Sequence, residues 1–181
     1  MSINIPLLIV VIRHYQTYAD GKGKMGTYWL AFKMLILPLL VSVVICFPLA
    51  IYLKNQATNA LLTVMAVFVP LLFTALISLH DTRQNLKTRQ DNDPSQTTKY
   101  EYLLTKYEHL ADNVSFILIL SVLELILLFT MICVSGNLRK SPSVTIVSLY
   151  NTLVFYLLQV ILYHLIFVIE RLAALIKVTS K

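Results

Sequence analysis

Residues 113–137 read NVSFILILSVLELILLFTMICVSGN, an apolar run interrupted by one ionisable side chain, Glu124. A helix rises about 1.5 Å per residue, so about 20 apolar residues cross a hydrocarbon core about 30 Å thick. This run is long enough. Met34–Leu53, Ala57–Leu79 and Ser143–Ile169 also qualify, and none of them contains Asp, Glu, Lys or Arg. In lipid every backbone amide must bond within its own segment, so the four runs are predicted helices. Membrane strands would be about half as long and would alternate in polarity. Composition agrees: 57% of residues are hydrophobic, 13% are charged and mean hydropathy is +0.74. Soluble domains carry roughly 45–50% apolar and about 25% charged residues. The fold class read from the sequence is an all-α integral membrane protein with four transmembrane helices.

Lys and Arg between the spans give the orientation. Arg13, Lys22, Lys24 and Lys33 precede the first span, and Arg83, Lys87, Arg89, Lys99 and Lys106 lie between the second and third. Arg171, Lys177 and Lys181 follow the last, which makes twelve positive residues on one side against three (Lys54, Arg139 and Lys140) on the other. Both termini and the long central loop are therefore expected in the cytoplasm. The same distribution accounts for the net charge of +6 through attraction to anionic lipids of the inner leaflet, with no direct nucleic-acid binding. No signal peptide is expected, because the N-terminus lacks a basic first region and a small-residue cleavage site. Cys46 and Cys133 fall inside spans, where neither a disulfide nor a metal site is implied.

The segments outside the lipid complete the layout. Ile5, Leu8, Ile9 and Ile12 fall near one helical face within Ile3–Tyr18, which predicts an N-terminal interfacial helix. Asp20-Gly21-Lys22-Gly23-Lys24-Met25-Gly26 lacks phosphate-loop spacing and reads as a hinge, with Tyr28 and Trp29 placed for an aromatic belt. Between spans two and three, Asp91-Asn92-Asp93-Pro94-Ser95 is a breaker, and Tyr100, Leu103, Leu104, Tyr107 and Leu110 beyond it have helical spacing. A cytoplasmic helical hairpin is predicted over 80–112. The expected units are 1–33 (interfacial helix and hinge), 34–79 (first transmembrane hairpin), 80–112 (extension), 113–169 (second transmembrane hairpin) and 170–181 (tail). The Tyr and Leu stripe packs on the Arg83–Arg89 arm, or on neighbouring copies or a soluble partner. The candidate partner-binding residues are Arg83, Lys87, Arg89, Tyr100, Leu103, Leu104 and Tyr107.

A carboxylate at mid-bilayer costs roughly 2.5–3.5 kcal/mol on insertion scales, so Glu124 needs a reason. Counted from Asp112 and Glu170 at the inner edge, Glu124 and Gln159 lie at nearly equal depth, which predicts a hydrogen bond between them. A proton or cation pathway and a contact between subunits are the other readings. Ser148, Thr152, Gln159 and Tyr163 form one polar stripe on the fourth span, beside Asn151, suited to gluing helices or to lining a pore built from several copies. His164 is expected to bond a neighbouring carbonyl or to reach the interface. No zinc motif, C-x-x-C or acidic phosphotransferase signature is present, and His80-Asp81 reads as a helix-end group. No catalytic residue, cofactor or metal is expected, and the chain does not read as an enzyme.

The layout of interfacial helix, cytoplasmic termini, charged central loop and length is similar to the small four-span membrane subunits of bacterial anti-phage defence systems, most closely the Kiwa membrane-subunit family (KwaA). Locally, Ile12-Arg13-His14-Tyr15-Gln16-Thr17, Gly21-Lys22 and an aromatic before the first span carry the resemblance. The resemblance implies a homo-oligomer in the bacterial inner membrane, with a tetramer as the expected form. It also implies a soluble DNA-binding effector of the KwaB kind docked on the cytoplasmic side, and sensing of envelope disturbance at infection. The expected function is accordingly a membrane scaffold and sensor that recruits a cytoplasmic effector. A pore-forming effector that depolarises the infected cell is the alternative, and a small proton-coupled transporter the second alternative.

Overall fold

The computed structural model describes residues 29, 32–46, 55–137 and 144–179. Four helices account for nearly all of them: α1 (Leu37–Cys46), α2 (Asn55–Asn92), α3 (Thr97–Asn137) and α4 (Val144–Thr179). A π-helical turn, Phe32–Ile36, leads into α1. Gln56–Asn92, Thr97–Cys133 and Val147–Ile176 are each long and apolar enough to cross a membrane, and Phe32–Ile45 is a shorter apolar helix. The predicted first span, Met34–Leu53, runs into residues outside the described ones, as do the predicted interfacial helix and the glycine-lysine hinge. Trp29 stacks on Phe32 at 5.5 Å, and the Lys33 ammonium lies 5.3 Å from its ring centroid.

At 41 residues, α3 is about 60 Å long, twice what the hydrocarbon core requires. The helices stay unbroken because 80–92 and 97–112 contain no proline or glycine. His80 therefore lies within α2, bonded to Gln84 at 2.9 Å, and does not end it. The break comes where the breaker was read. The Asp93 amide still donates to the Arg89 carbonyl at 3.0 Å, and then Pro94 opens a short 3₁₀ turn, Pro94–Gln96. The Asp93 carboxylate accepts from the Ser95 amide at 3.2 Å and caps that turn. Chain reversal is thus complete within four residues, and α2 and α3 run antiparallel in contact.

Inward-facing positions on α3 recur at alternating spacings of four and three: Leu103, Tyr107, Leu110, Val114, Ile117, Ser121, Glu124 and Leu128 are buried or half-buried. Thr58, Leu62, Met65, Val69, Leu72, Leu76, Leu79, Arg83 and Leu86 do the same on α2, and Val154, Leu157, Ile161, His164, Val168, Arg171 and Leu175 on α4. A repeat averaging 3.5 residues keeps one seam of each helix facing its neighbours over many turns, the geometry of left-handed helix packing. In order across the molecule, α2 packs on α3, α3 on α4, and α4 on α1. Among the described residues α1 has no close backbone approach to α2, although the two are consecutive in the chain.

Two apolar clusters lie on these seams. One joins Met65, Leu72, Val114, Ile117, Leu128, Val154 and Ile161, and the other joins Leu103, Leu110 and Leu175, with Leu79, Leu86, Tyr107 and Val168 against them. The second cluster takes up Leu103, Tyr107 and Leu110 of the Tyr and Leu stripe, which pack on Leu86 in the Arg83–Arg89 arm of α2 and on Leu175 of α4. Leu110, 1% exposed, is its centre. Leu110→Ala is expected to cost about 2–5 kcal/mol, measured by thermal denaturation in detergent, whereas Thr105→Ala on the exposed face should change the midpoint little.

Candidate functional site

Polar side chains are collected inside the apolar layer. Ser42 on α1, Ser121 and Glu124 on α3, and Asn151 and His164 on α4 are fully buried, and Ser148 and Thr152 nearly so. Most are satisfied locally. The Ser121 hydroxyl donates to the Ile117 carbonyl at 2.8 Å and Thr152 to the Ser148 carbonyl at 2.8 Å, each one turn back on its own helix. His164 Nδ1 lies 2.7 Å from the Val160 carbonyl, and Phe116 packs against its ring at 5.1 Å. The expectation that His164 would bond a neighbouring carbonyl agrees with this placement. Ser148, Asn151 and Thr152 face the interior of the chain, while Tyr163 is half-buried and stacks edge-on with Phe167.

The predicted bond between Glu124 and Gln159 does not form. Gln159 Nε2 donates instead to the Ser42 hydroxyl at 3.0 Å, tying α4 to α1. The reason is register. The Tyr150 hydroxyl donates to the Leu127 carbonyl and His164 faces Phe116, which places Glu124 level with residues 154–156, about one turn away from Gln159. Asp112 and Glu170, the charged residues from which depth was counted, are themselves offset along the two antiparallel helices.

Glu124 is therefore a buried carboxyl with neither oxygen hydrogen-bonded, on the core seam of α3 between Ser121 and Leu128. A carboxyl group here has no hydrogen-bond partner to compensate for its removal from water. Its complete burial also means that it does not lie on the outer surface of the chain, where a second copy would touch it directly.

The other candidate region is the paired extension of α2 and α3. Arg83 Nη2 lies 3.3 Å from Glu108 Oε1, an ion pair across the two helices. Lys87 and Arg89 are exposed, Tyr100 and Leu104 are intermediate, and Leu103 is buried. Of the seven residues considered for partner contact, Lys87 and Arg89 thus offer the most accessible surface. Tyr102, half exposed under the Lys106 ammonium at 5.3 Å, and Ile169, Leu172 and Ile176 on α4 add an outward apolar component that the sequence reading did not single out. The signal was present: Ile169, Leu172 and Ile176 continue a three-and-four spacing past Glu170 and Arg171. Among the described residues no three His, Cys, Asp or Glu side chains group as metal ligands.

No protein-family model, no curated protein and no solved structure matches this chain. All-helical architecture with three helices long and apolar enough to cross a membrane is what the chain itself defines.

Two substitutions separate the intramembrane polar groups. Glu124→Leu removes an uncompensated carboxyl from an apolar seam and is expected to raise the melting midpoint in detergent by roughly 5 °C. Gln159→Leu breaks the hydrogen bond that ties α4 to Ser42 on α1 and is expected to cost about 0.6–1.7 kcal/mol, lowering the midpoint. Differential scanning of both variants checks the opposite signs.

Proposed function

We propose that the chain is a multi-pass membrane scaffold and sensor, with four spans and cytoplasmic termini, that assembles with further copies and recruits a soluble effector. The observation that carries this reading is the pair of uninterrupted helices α2 and α3, which run some thirteen or more residues beyond the apolar segments and present Lys87, Arg89, Tyr102 and Lys106 outward. A helix pair fixed by its own apolar cluster and by Arg83–Glu108 is a rigid platform, and a preorganised basic and aromatic surface suits an acidic protein partner. The bias of Lys and Arg toward this side supports its cytoplasmic placement. Assignment to anti-phage defence, with a tetrameric ring and a DNA-binding effector of the KwaB kind, rests on the resemblance of layout and of the N-terminal residues.

The discriminating measurement is the mass of the detergent-extracted complex from its native host. Wild type is expected to carry a soluble protein on several copies of the chain. Lys87→Glu with Arg89→Glu is expected to release the soluble protein while the oligomer stays in the membrane fraction. A bare wild-type complex under the same conditions would overturn the scaffold reading.

A depolarising effector is the second reading, favoured by one observation: a buried carboxyl with both oxygens free of hydrogen bonds. Groups held at such expense in the membrane commonly serve ion or proton movement. On this reading triggered wild type collapses the membrane potential, followed with a potential-sensitive dye, and Glu124→Gln slows the collapse at least tenfold. Equal collapse by both proteins would remove Glu124 from the pathway.

A further inference from the structure

Between the outer faces of α2 and α3 runs a cavity of about 390 Å³ whose two ends differ in chemistry. Phe73, Leu76 and Ile77 line one end, His80 and Arg83 the other, and Ala111 of α3 lies against it. Phe73 and Ile77 are 55% and 49% exposed, so the apolar end is open outward. Ala111 is the cause of the hollow, since a methyl leaves the space that a longer side chain would fill. From Phe73 to Arg83 the cavity follows α2 for about 15 Å and passes Leu79, the last residue of the uncharged run.

Arg83 is only partly used by its ion pair. Nη2 meets Glu108, but Nε is buried and has no hydrogen-bond partner. The Arg83 side chain is 34% exposed, so guanidinium N–H groups beyond the ion pair stay open to an acceptor, and phosphate oxygens suit that fork geometry best. His80 lies one turn before Arg83 on the same face of α2 and also lines the groove. An occupant must therefore combine an apolar tail with a phosphate, and must arrive from the side on which Phe73 and Ile77 are open.

We infer that this groove is a specific site for a glycerophospholipid, with the phosphodiester on Arg83 and one acyl chain along Phe73, Leu76 and Ile77. This is distinct from general attraction of basic residues to an anionic leaflet, because it requires a shaped apolar end and one particular guanidinium. It rests on the membrane placement proposed above and is independent of the effector.

The test is native mass spectrometry of the full chain released from nanodiscs containing phosphatidylglycerol or, at equal mole fraction, diacylglycerol. Carbonate extraction of cell membranes first establishes that the chain is membrane-integral; recovery in the soluble fraction would overturn the membrane placement itself. Wild type is expected to retain phosphatidylglycerol about tenfold more than diacylglycerol. Arg83→Gln and the groove-filling Ala111→Leu should each abolish that preference. Lys87→Gln, outside the groove, should leave it unchanged. Glu108→Gln removes the ion pair but keeps the guanidinium, so it should retain the lipid. Loss in Glu108→Gln equal to that in Arg83→Gln would assign the effect to helix pairing and overturn the inference. So would equal loss in Lys87→Gln, equal retention of the two lipids by wild type, or unchanged preference in Ala111→Leu with unaltered helical content.

Discussion

Every other feature of the molecule depends on the seam of α3. That helix lies between α2 and α4 and supplies both with contact residues at a 3.5-residue repeat, from Leu103 at one end to Leu128 at the other. Within lipid, apolar side chains gain little by meeting each other, so the interlocking of van der Waals surfaces has to hold the helices there. The same repeat continues through Leu103, Leu110, Leu86 and Leu175, whose packing closes the other end of the helix pair. The register that one periodicity sets in one region is thus inherited by the other.

That inheritance explains the polar residues. Ser121 and Glu124 occupy seam positions that are otherwise filled by Leu, Ile and Val, and His164 does so on α4. Ser121 and, through Nδ1, His164 bond to carbonyls one turn earlier on their own helices. Glu124 has no such recourse, and neither of its carboxyl oxygens has a hydrogen-bond partner.

Sequence and structure agree on what depends on local chemistry. Asp93-Pro94-Ser95 announces its turn, since Asx capping and a fixed proline dihedral act within a few residues. Long apolar runs declare their helices for the same reason. Which face turns inward is harder to read in a segment such as 116–128, where nearly every residue is apolar and the seam has no contrast. The Glu124 and Gln159 pairing failed at that step: depth counted from charged ends ignores the stagger between antiparallel helices, and Ser42 on α1 was the nearer partner. The order of helices was equally illegible. That α1 packs on α4 and not on its neighbour in the chain is decided by shape complementarity over long sequence separations. Leu103 and Tyr107 illustrate a third limit, because an apolar stripe looks the same in sequence whether its cover belongs to the same chain or to another.

The short cap at Asp93 has a mechanical consequence. Because α2 and α3 are joined by a turn of only a few residues and are locked by Arg83–Glu108, the pair behaves as a single lever arm. A change of tilt of about 5° in the bilayer would carry a tip about 30 Å from the pivot through about 3 Å. A displacement of that size is comparable to the width of a hydrogen-bonded contact, so a change of tilt alone would shift Lys87 and Arg89 by that much without any unfolding.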